Sequence, residues 1–242
     1  MAVAKGLSLS STSPDLRGSI LIVGASRGLG QAMAAEFAAR GWSVVGTVRA
    51  AATPLHALAA ERPGSVEVET LDMTDPDQIQ ALSERLAGRR FDIVFVGGGI
   101  ANRRPADTMA QVSTDEFVQL MLTNVLGVMR AVEALGPLAG PDGVIGVMSS
   151  GQGSLANNTN GANDVYRASK AALNQAMASY AGRHGQAAMV LMAPGWIRTE
   201  LGGPGAPFGV EEAMPQIVDV LLAQRGRPGL RFLDRFGQTV PW

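Results

Sequence analysis

The sequence predicts an α/β fold: a doubly wound parallel sheet of about seven strands, with helices on both faces. Three observations predict it. Short apolar runs alternate with stretches of helix formers along the whole chain, the rhythm of a parallel sheet. The first run, Ile20-Leu-Ile-Val23, leads at once into a glycine loop and then a helical stretch. The 242 residues are 46% hydrophobic, ample for one large core, and no repeat or linker divides them. Residues 1–18, Ser-rich with Pro14 and Gly18, read as a flexible tail before a single domain at 19–242.

The glycine loop is Gly24-Ala-Ser-Arg-Gly-Leu-Gly30, spaced Gly-x-x-x-Gly-x-Gly. Gly24, Gly28 and Gly30 let the backbone turn tightly and approach a pyrophosphate, which the amides of the helix over 31–40 can also hold. Placed between strand and helix, the loop indicates a nucleotide site of Rossmann type. The second strand, 42–48, ends in Arg49 rather than in an acidic residue. An Asp or Glu there grips the 2′-hydroxyl of NAD, whereas Arg49 with Arg27 suits a 2′-phosphate, so NADP(H) is favoured and NAD(H) stays possible. The alternative for Arg49 is a solvated surface arginine.

The third strand, 66–71, ends at Asp72, which either touches an adenine or caps the next turn. A helix over 76–87 takes Asp75 as N-cap and Pro76 at its first position. The strand 91–96 precedes Gly97-Gly98-Gly99, suited to close approach of a flat ring or ribose, or equally a flexible turn. A long helix over 114–135 opens on Ser113 or Thr114, with Glu116 as capping-box partner. Asn124 inside it is a poor helix former and points to a specific buried hydrogen bond or to solvent.

The chemistry is predicted at 149–174. The strand 143–148 delivers Ser149 and Ser150 at its carboxyl end, where open α/β sheets bind ligands. If 165–181 is helical, Tyr166 and Lys170 stack one turn apart on one face. A free phenol has a pKa near 10, and a neighbouring cation favours its phenolate. The alternative is a surface tyrosine, a solvated lysine and two loop serines. Between the serines and the helix, 151–164 holds Asn157, Asn158, Asn160 and Asn163, mostly turn chemistry crossing the site mouth. A sixth strand over 187–193 ends at Pro194-Gly195. The Gly- and Pro-rich loop after it reads as a lid, with Trp196 and Phe208 as an apolar wall. A helix over 210–225, interrupted or kinked near Pro215, and a strand at 230–233 close the fold, and Trp242 packs onto the body or a partner subunit.

Composition narrows the function. A net charge of −1 offers no field for nucleic acid or anionic lipid. With no cysteine and two isolated histidines, His56 and His184, no metal site is expected. No signal peptide is read at the start and no apolar run of membrane-spanning length, so a cytoplasmic protein without a membrane partner is expected.

These residues resemble the short-chain dehydrogenase/reductases across 20–242, in the family's order: the glycine loop, Asp72, Asn124, the serine pair, Tyr166-x-x-x-Lys170 and Pro194-Gly195 with Thr199. Within the family, Tyr-Arg-Ala-Ser-Lys, Pro-Gly-Trp-Ile-Arg-Thr and the Pro-Trp ending are similar to sniffer-type carbonyl reductases and C-signal-like proteins. The resemblance implies an NADP(H)-dependent reductase of a ketone or aldehyde, or an oxidant of the matching alcohol, with Tyr166 as proton donor. Lys170 would lower the Tyr166 pKa and hold the nicotinamide ribose. Ser150 would orient the carbonyl oxygen, with Ser149 a minor candidate, and Asn124 would anchor a relay water. The cofactor set implied is Gly24, Ser26, Arg27, Gly28, Leu29, Gly30, Arg49, Asp72, Met73, Gly97, Gly98, Gly99, Tyr166, Lys170, Pro194, Gly195, Ile197 and Thr199, the last two at the carboxamide. A homodimer or homotetramer through 114–135 and 166–181 is implied as well. A rival is a nucleotide-binding regulatory or signalling protein with vestigial activity, suggested by two departures. The family usually has Thr at the position of Val23 and Asn-Asn-Ala-Gly at 96–99.

Overall fold

A computed structural model describes residues 18–242; the tail assigned to 1–18 lies outside these except for Gly18. Among the described residues, seven parallel strands form one sheet in the order β3-β2-β1-β4-β5-β6-β7. The strands are β1 (Ser19–Val23), β2 (Ser43–Val48), β3 (Val66–Thr70), β4 (Phe91–Val96), β5 (Ala139–Met148), β6 (Ala188–Ala193) and β7 (Gly229–Asp234). The helices are α1 (Gly28–Ala39), α2 (Pro54–Glu61), α3 (Pro76–Arg85), α4 (Thr114–Met121), α5 (Val128–Leu135), α6 (Asp164–Arg183) and α7 (Val210–Ala223).

Both faces of the sheet are covered, which is why the strands read as unbroken apolar runs. Ile20 and Ile22 of β1 point into one core, with Phe37 of α1, Leu55 of α2 and Ile217 of α7. Leu21 and Val23 point into the other, with Leu82 of α3, Val132 of α5 and Leu173 of α6. The period-2 alternation of a strand thus feeds two cores at once. Trp242 packs against Phe232 with tilted rings at 5.3 Å, so the body takes it, as the first alternative held.

Five expectations need correction. Helix α2 is absent from the sequence reading, although Thr53 followed by Pro54 is a start signal. β5 begins at Ala139 rather than 143, because Phe91 of β4 pairs with Ala139 before a register shift. The long helix over 114–135 is broken by a π-helical segment, Leu122–Gly127, between α4 and α5. Glu116 forms no capping box: Ser113 caps α4 at the Glu116 amide, while the Glu116 carboxylate accepts the Arg103 backbone N–H at 2.6 Å. The helical stretch Thr114–Leu138, 25 residues, also meets the length and apolarity of a membrane span, contrary to the sequence reading. Within it, Val128, Ala131, Val132 and Leu135 are buried in the protein core, while Phe117, Val118 and Leu126 are exposed.

Strand order places the site. The chain runs outward from β1 to β2 and β3, then crosses back to β4 beside β1, leaving a crevice beyond the carboxyl ends of β1 and β4. Gly24 to Gly30 and Gly97 to Gly99 begin there.

Candidate active site

The glycine loop is held by its neighbours. The Gly24 amide donates to the buried Thr47 hydroxyl at 3.0 Å and the Ala25 amide to the Thr47 carbonyl at 2.8 Å, while the Gly97 amide reaches the Val23 carbonyl at 2.8 Å. Val23 brings no side-chain hydroxyl, and Thr47, one strand over, supplies one. Sequence reasoning missed Thr47; its sign was a polar residue inside the apolar run of β2. A Cβ on Gly30 would lie 2.0 Å from the Gly24 carbonyl oxygen, so only glycine lets α1 start this close to the loop. The first turn of α1 carries neither a side-chain cap nor an acidic residue, which leaves its amides available to an anion.

The 96–99 departure has a packing explanation. A Cβ on Gly98 would fall 2.5 Å from the Met73 methyl carbon, so the Met73 side chain occupies the space of the family's alanine methyl. Gly97 and Gly99 line the same passage, Gly99 beside the Lys170 amine and the Asn124 amide.

Asn124 sits in the π segment, fully buried. Its oxygen accepts the Ile100 N–H at 2.8 Å, and its nitrogen donates to the Ile100 carbonyl at 2.8 Å and to the Ser169 hydroxyl at 3.0 Å. The Ser169 hydroxyl in turn donates to the Tyr166 carbonyl at 2.8 Å. Of the two readings of Asn124, the specific buried hydrogen bond holds. Ser169, also fully buried, was missed; its position between Tyr166 and Lys170 was the available signal.

Tyr166 and Lys170 share a face of α6, with the Lys170 amine 5.8 Å from the phenol ring centre. Lys170 is 2% exposed and donates to the Met148 carbonyl at 3.0 Å. Burial lowers its pKa to about 8. Burial pushes the Tyr166 phenol above its ordinary value, and a hydrogen bond to the Ser150 hydroxyl pulls part of the way back. The expected lowering of the Tyr166 pKa by Lys170 is not found: desolvation of the phenolate sets the direction, and Ser150 alone opposes it. The two serines divide their roles. Ser149 is buried and donates to the Asn174 oxygen at 2.6 Å, tying β5 to α6, while Ser150 faces Tyr166.

The stretch 151–164 is mostly turn chemistry, as expected, apart from a 3-10 turn at Gly151–Gly153 and Asp164, which opens α6. Asn158 accepts the Gly161 amide and Asn160 the Arg167 guanidinium, and Asn163 takes a left-handed backbone at φ 63° that asparagine tolerates.

Asp72 follows the turn-capping alternative. It accepts the Thr74 N–H at 2.9 Å and hydroxyl at 2.7 Å, which hold its carboxyl below the usual range, and its second oxygen stands 3.9 Å from Arg49. Arg27 pairs with Glu200 at 2.6 Å. Ser26 and Leu29 lie half-buried in the glycine loop, Leu29 against the core.

Beyond β6, the loop closes on itself. The Arg198 amide donates to the Phe208 carbonyl at 2.8 Å, and its guanidinium holds the Ala206 and Pro207 carbonyls at 2.8 and 2.7 Å. Thr199 accepts the Gly202 amide, and buried Ile197 pairs alongside Phe208. Trp196 donates to the Gly202 carbonyl yet remains 59% exposed. Arg235, missed in the sequence and only 6% exposed, stacks on Phe208 at 3.9 Å and Phe236 at 4.4 Å and donates to the Pro194 carbonyl at 3.2 Å, beside Gly195. Nothing local marks Arg235, which lies 41 residues from Pro194.

Comparison with known proteins agrees with this geometry. The family model of the short chain dehydrogenases matches residues 19–206. A Burkholderia multivorans structure with bound NADP is 60% identical, with a TM-score of 0.91 over 93% of this chain and 100% of its own. A carbonyl reductase of Pseudomonas aeruginosa PAO1 in complex with NADP is 35% identical, with a TM-score of 0.86 and the same coverage. The C-signal protein of Myxococcus xanthus is 33% identical over 168 residues, 68% of this chain and 100% of its own. The likeness to carbonyl reductases and C-signal read from the sequence is met.

Proposed function

Because the chain belongs to the short-chain dehydrogenase family, we propose that it is an NADP(H)-dependent oxidoreductase that reduces a neutral, fairly apolar ketone or aldehyde, or oxidises the matching secondary alcohol. The observation that carries this reading is the convergence of Ser150, Tyr166, Lys170 and Asn124 at the carboxyl ends of β4 and β5, beside the crevice. The cradle fits a dinucleotide: the amides that open α1 are uncapped and the contact between Gly30 and Gly24 keeps side chains out of the way. Arg27 and Arg49 favour the 2′-phosphate, and NADP is bound in the Burkholderia multivorans and Pseudomonas aeruginosa structures. The nicotinamide, when bound, supplies the hydride. Tyr166 donates the proton to the carbonyl oxygen, and its raised pKa keeps that proton in place at neutral pH. Ser150 orients the same oxygen. Lys170, still mostly charged at pH 7, stabilises the phenolate left behind and holds the ribose. Asn124 fixes the Ile100 backbone against α6 and so shapes the wall on which a relay water sits.

Apolar Trp196 and Phe208 frame the mouth, while the Arg198 guanidinium is already committed to loop carbonyls, which supports an uncharged substrate. A carbonyl panel with NADPH consumption monitored tests the reading. The rival signalling role draws support from the C-signal likeness. It gains if wild type binds NADPH yet turns over no member of the panel. Phe117, Val118 and Leu126 are exposed, and Ala168, Ala171 and Ala172 are half-buried on α6, which supports self-association of the α4–α5 and α6 surfaces. Light scattering showing a monomer at micromolar concentration rejects that part.

A further inference from the structure

We infer that Glu200 determines cofactor specificity: its carboxylate competes with a 2′-phosphate for Arg27 and so holds down the preference for NADP(H) over NAD(H). This rests on the NADP(H) reading above. Both arginines of the phosphate site already have a carboxylate in this structure, Arg27 with Glu200 at 2.6 Å and Arg49 with Asp72 at 3.9 Å. The two pairs differ in how they are held. Asp72 is fixed by two hydrogen bonds from Thr74 and makes only a long contact with Arg49. Glu200 makes a short contact with Arg27, and it belongs to the loop that follows β6 rather than to the glycine loop.

That loop lies against the glycine loop, with Thr199 side-chain carbons 3.9 Å from where a Cβ on Gly28 would stand. Glu200 therefore bridges the two walls of the cofactor crevice. The side chains of Arg27 and Glu200 are 60% and 73% exposed, so an anion arriving from solvent reaches the guanidinium freely. A doubly charged phosphate at Arg27 must displace the carboxylate or share the cation with it, against like-charge repulsion. A cofactor with a 2′-hydroxyl makes no such demand. Glu200 thus penalises only the phosphorylated cofactor.

Calorimetric titration with NADP+ and NAD+, without turnover, tests the inference. Glu200→Gln is expected to tighten NADP+ binding about two- to five-fold, the range of an exposed ion pair, while NAD+ changes by less than about 1.5-fold. The gain should shrink between about 50 mM and about 500 mM salt, and vanish in an Arg27→Ala background. Unchanged or weaker NADP+ binding in Glu200→Gln, equal tightening of NAD+, a salt-independent gain, or a gain that survives Arg27→Ala each overturns the inference. In these cases, a wild type that still prefers NADP+ leaves the cofactor reading standing. A wild type that prefers NAD+ overturns that reading, and this inference with it.

Discussion

The two walls of the crevice are built differently. On the side of β4, β5 and α6, polar groups are buried and satisfied: Asn124 bonds Ile100 twice and Ser169 once, Ser149 bonds Asn174, and Lys170 bonds the Met148 carbonyl. On the side of the loop after β6, Trp196 and Leu201 are more than half exposed, and the contact to the glycine loop is a solvent-facing ion pair. Buried hydrogen bonds hold groups to a fraction of an ångström and cost much to break, whereas exposed pairs contribute little and exchange readily with ligands. The first wall suits proton transfer, the second recognition.

The largest effect that tests this division is kinetic. Tyr166→Phe is expected to lower kcat at least about 100-fold, and up to about 10,000-fold, with NADPH affinity within a few-fold of wild type. Wild-type turnover in that variant removes the phenol from the chemistry. Next comes stability. Asn124→Ala leaves both Ile100 backbone groups without their partner, and urea unfolding should show a loss of about 2–4 kcal/mol. A loss below about 1 kcal/mol contradicts a rigid wall.

Lys170 offers a third test through pH. Its pKa is about 8 folded against 10.5 for the ordinary group. Below pH 8 the amine is charged in both states, and its burial penalty is fully present. Between about pH 8 and 10.5 the unfolded chain binds more protons, so this group makes stability rise with pH. Relative to Lys170→Met, wild type should therefore gain about 1–3 kcal/mol across that window. A difference that stays flat shows that the amine keeps its ordinary pKa. The smallest effect is expected on the other wall. Arg198→Ala frees two loop carbonyls that water can satisfy, so stability should fall by less than about 1 kcal/mol, with KM raised a few-fold for neutral and anionic ketones alike. A selective loss of the anionic member of matched pairs identifies Arg198 as a substrate anchor.

Local signals carried the sequence reading a long way. Gly24-x-x-x-Gly28-x-Gly30 after an apolar strand, Asp75 before Pro76, and Tyr166 one helical turn from Lys170 are all contacts within a few residues, and each stands where it was read. Thr47, Ser169 and Arg235 were missed because their partners are distant in the chain or inside the fold. The π segment around Asn124 was missed because its shift in hydrogen bonding leaves no distinct residue pattern.

The sequence by itself determined the strand and helix rhythm, the glycine loop and the reactive pair on α6, because period and spacing are properties of a short stretch of chain. Only the tertiary structure decided which serine faces the phenol, that Met73 fills the space above Gly98, and that burial moves Tyr166 and Lys170 in opposite directions. These depend on which distant segments surround a group and how much water they exclude. Desolvation disfavours the charged form of each, so it raises the acid's pKa and lowers that of the base.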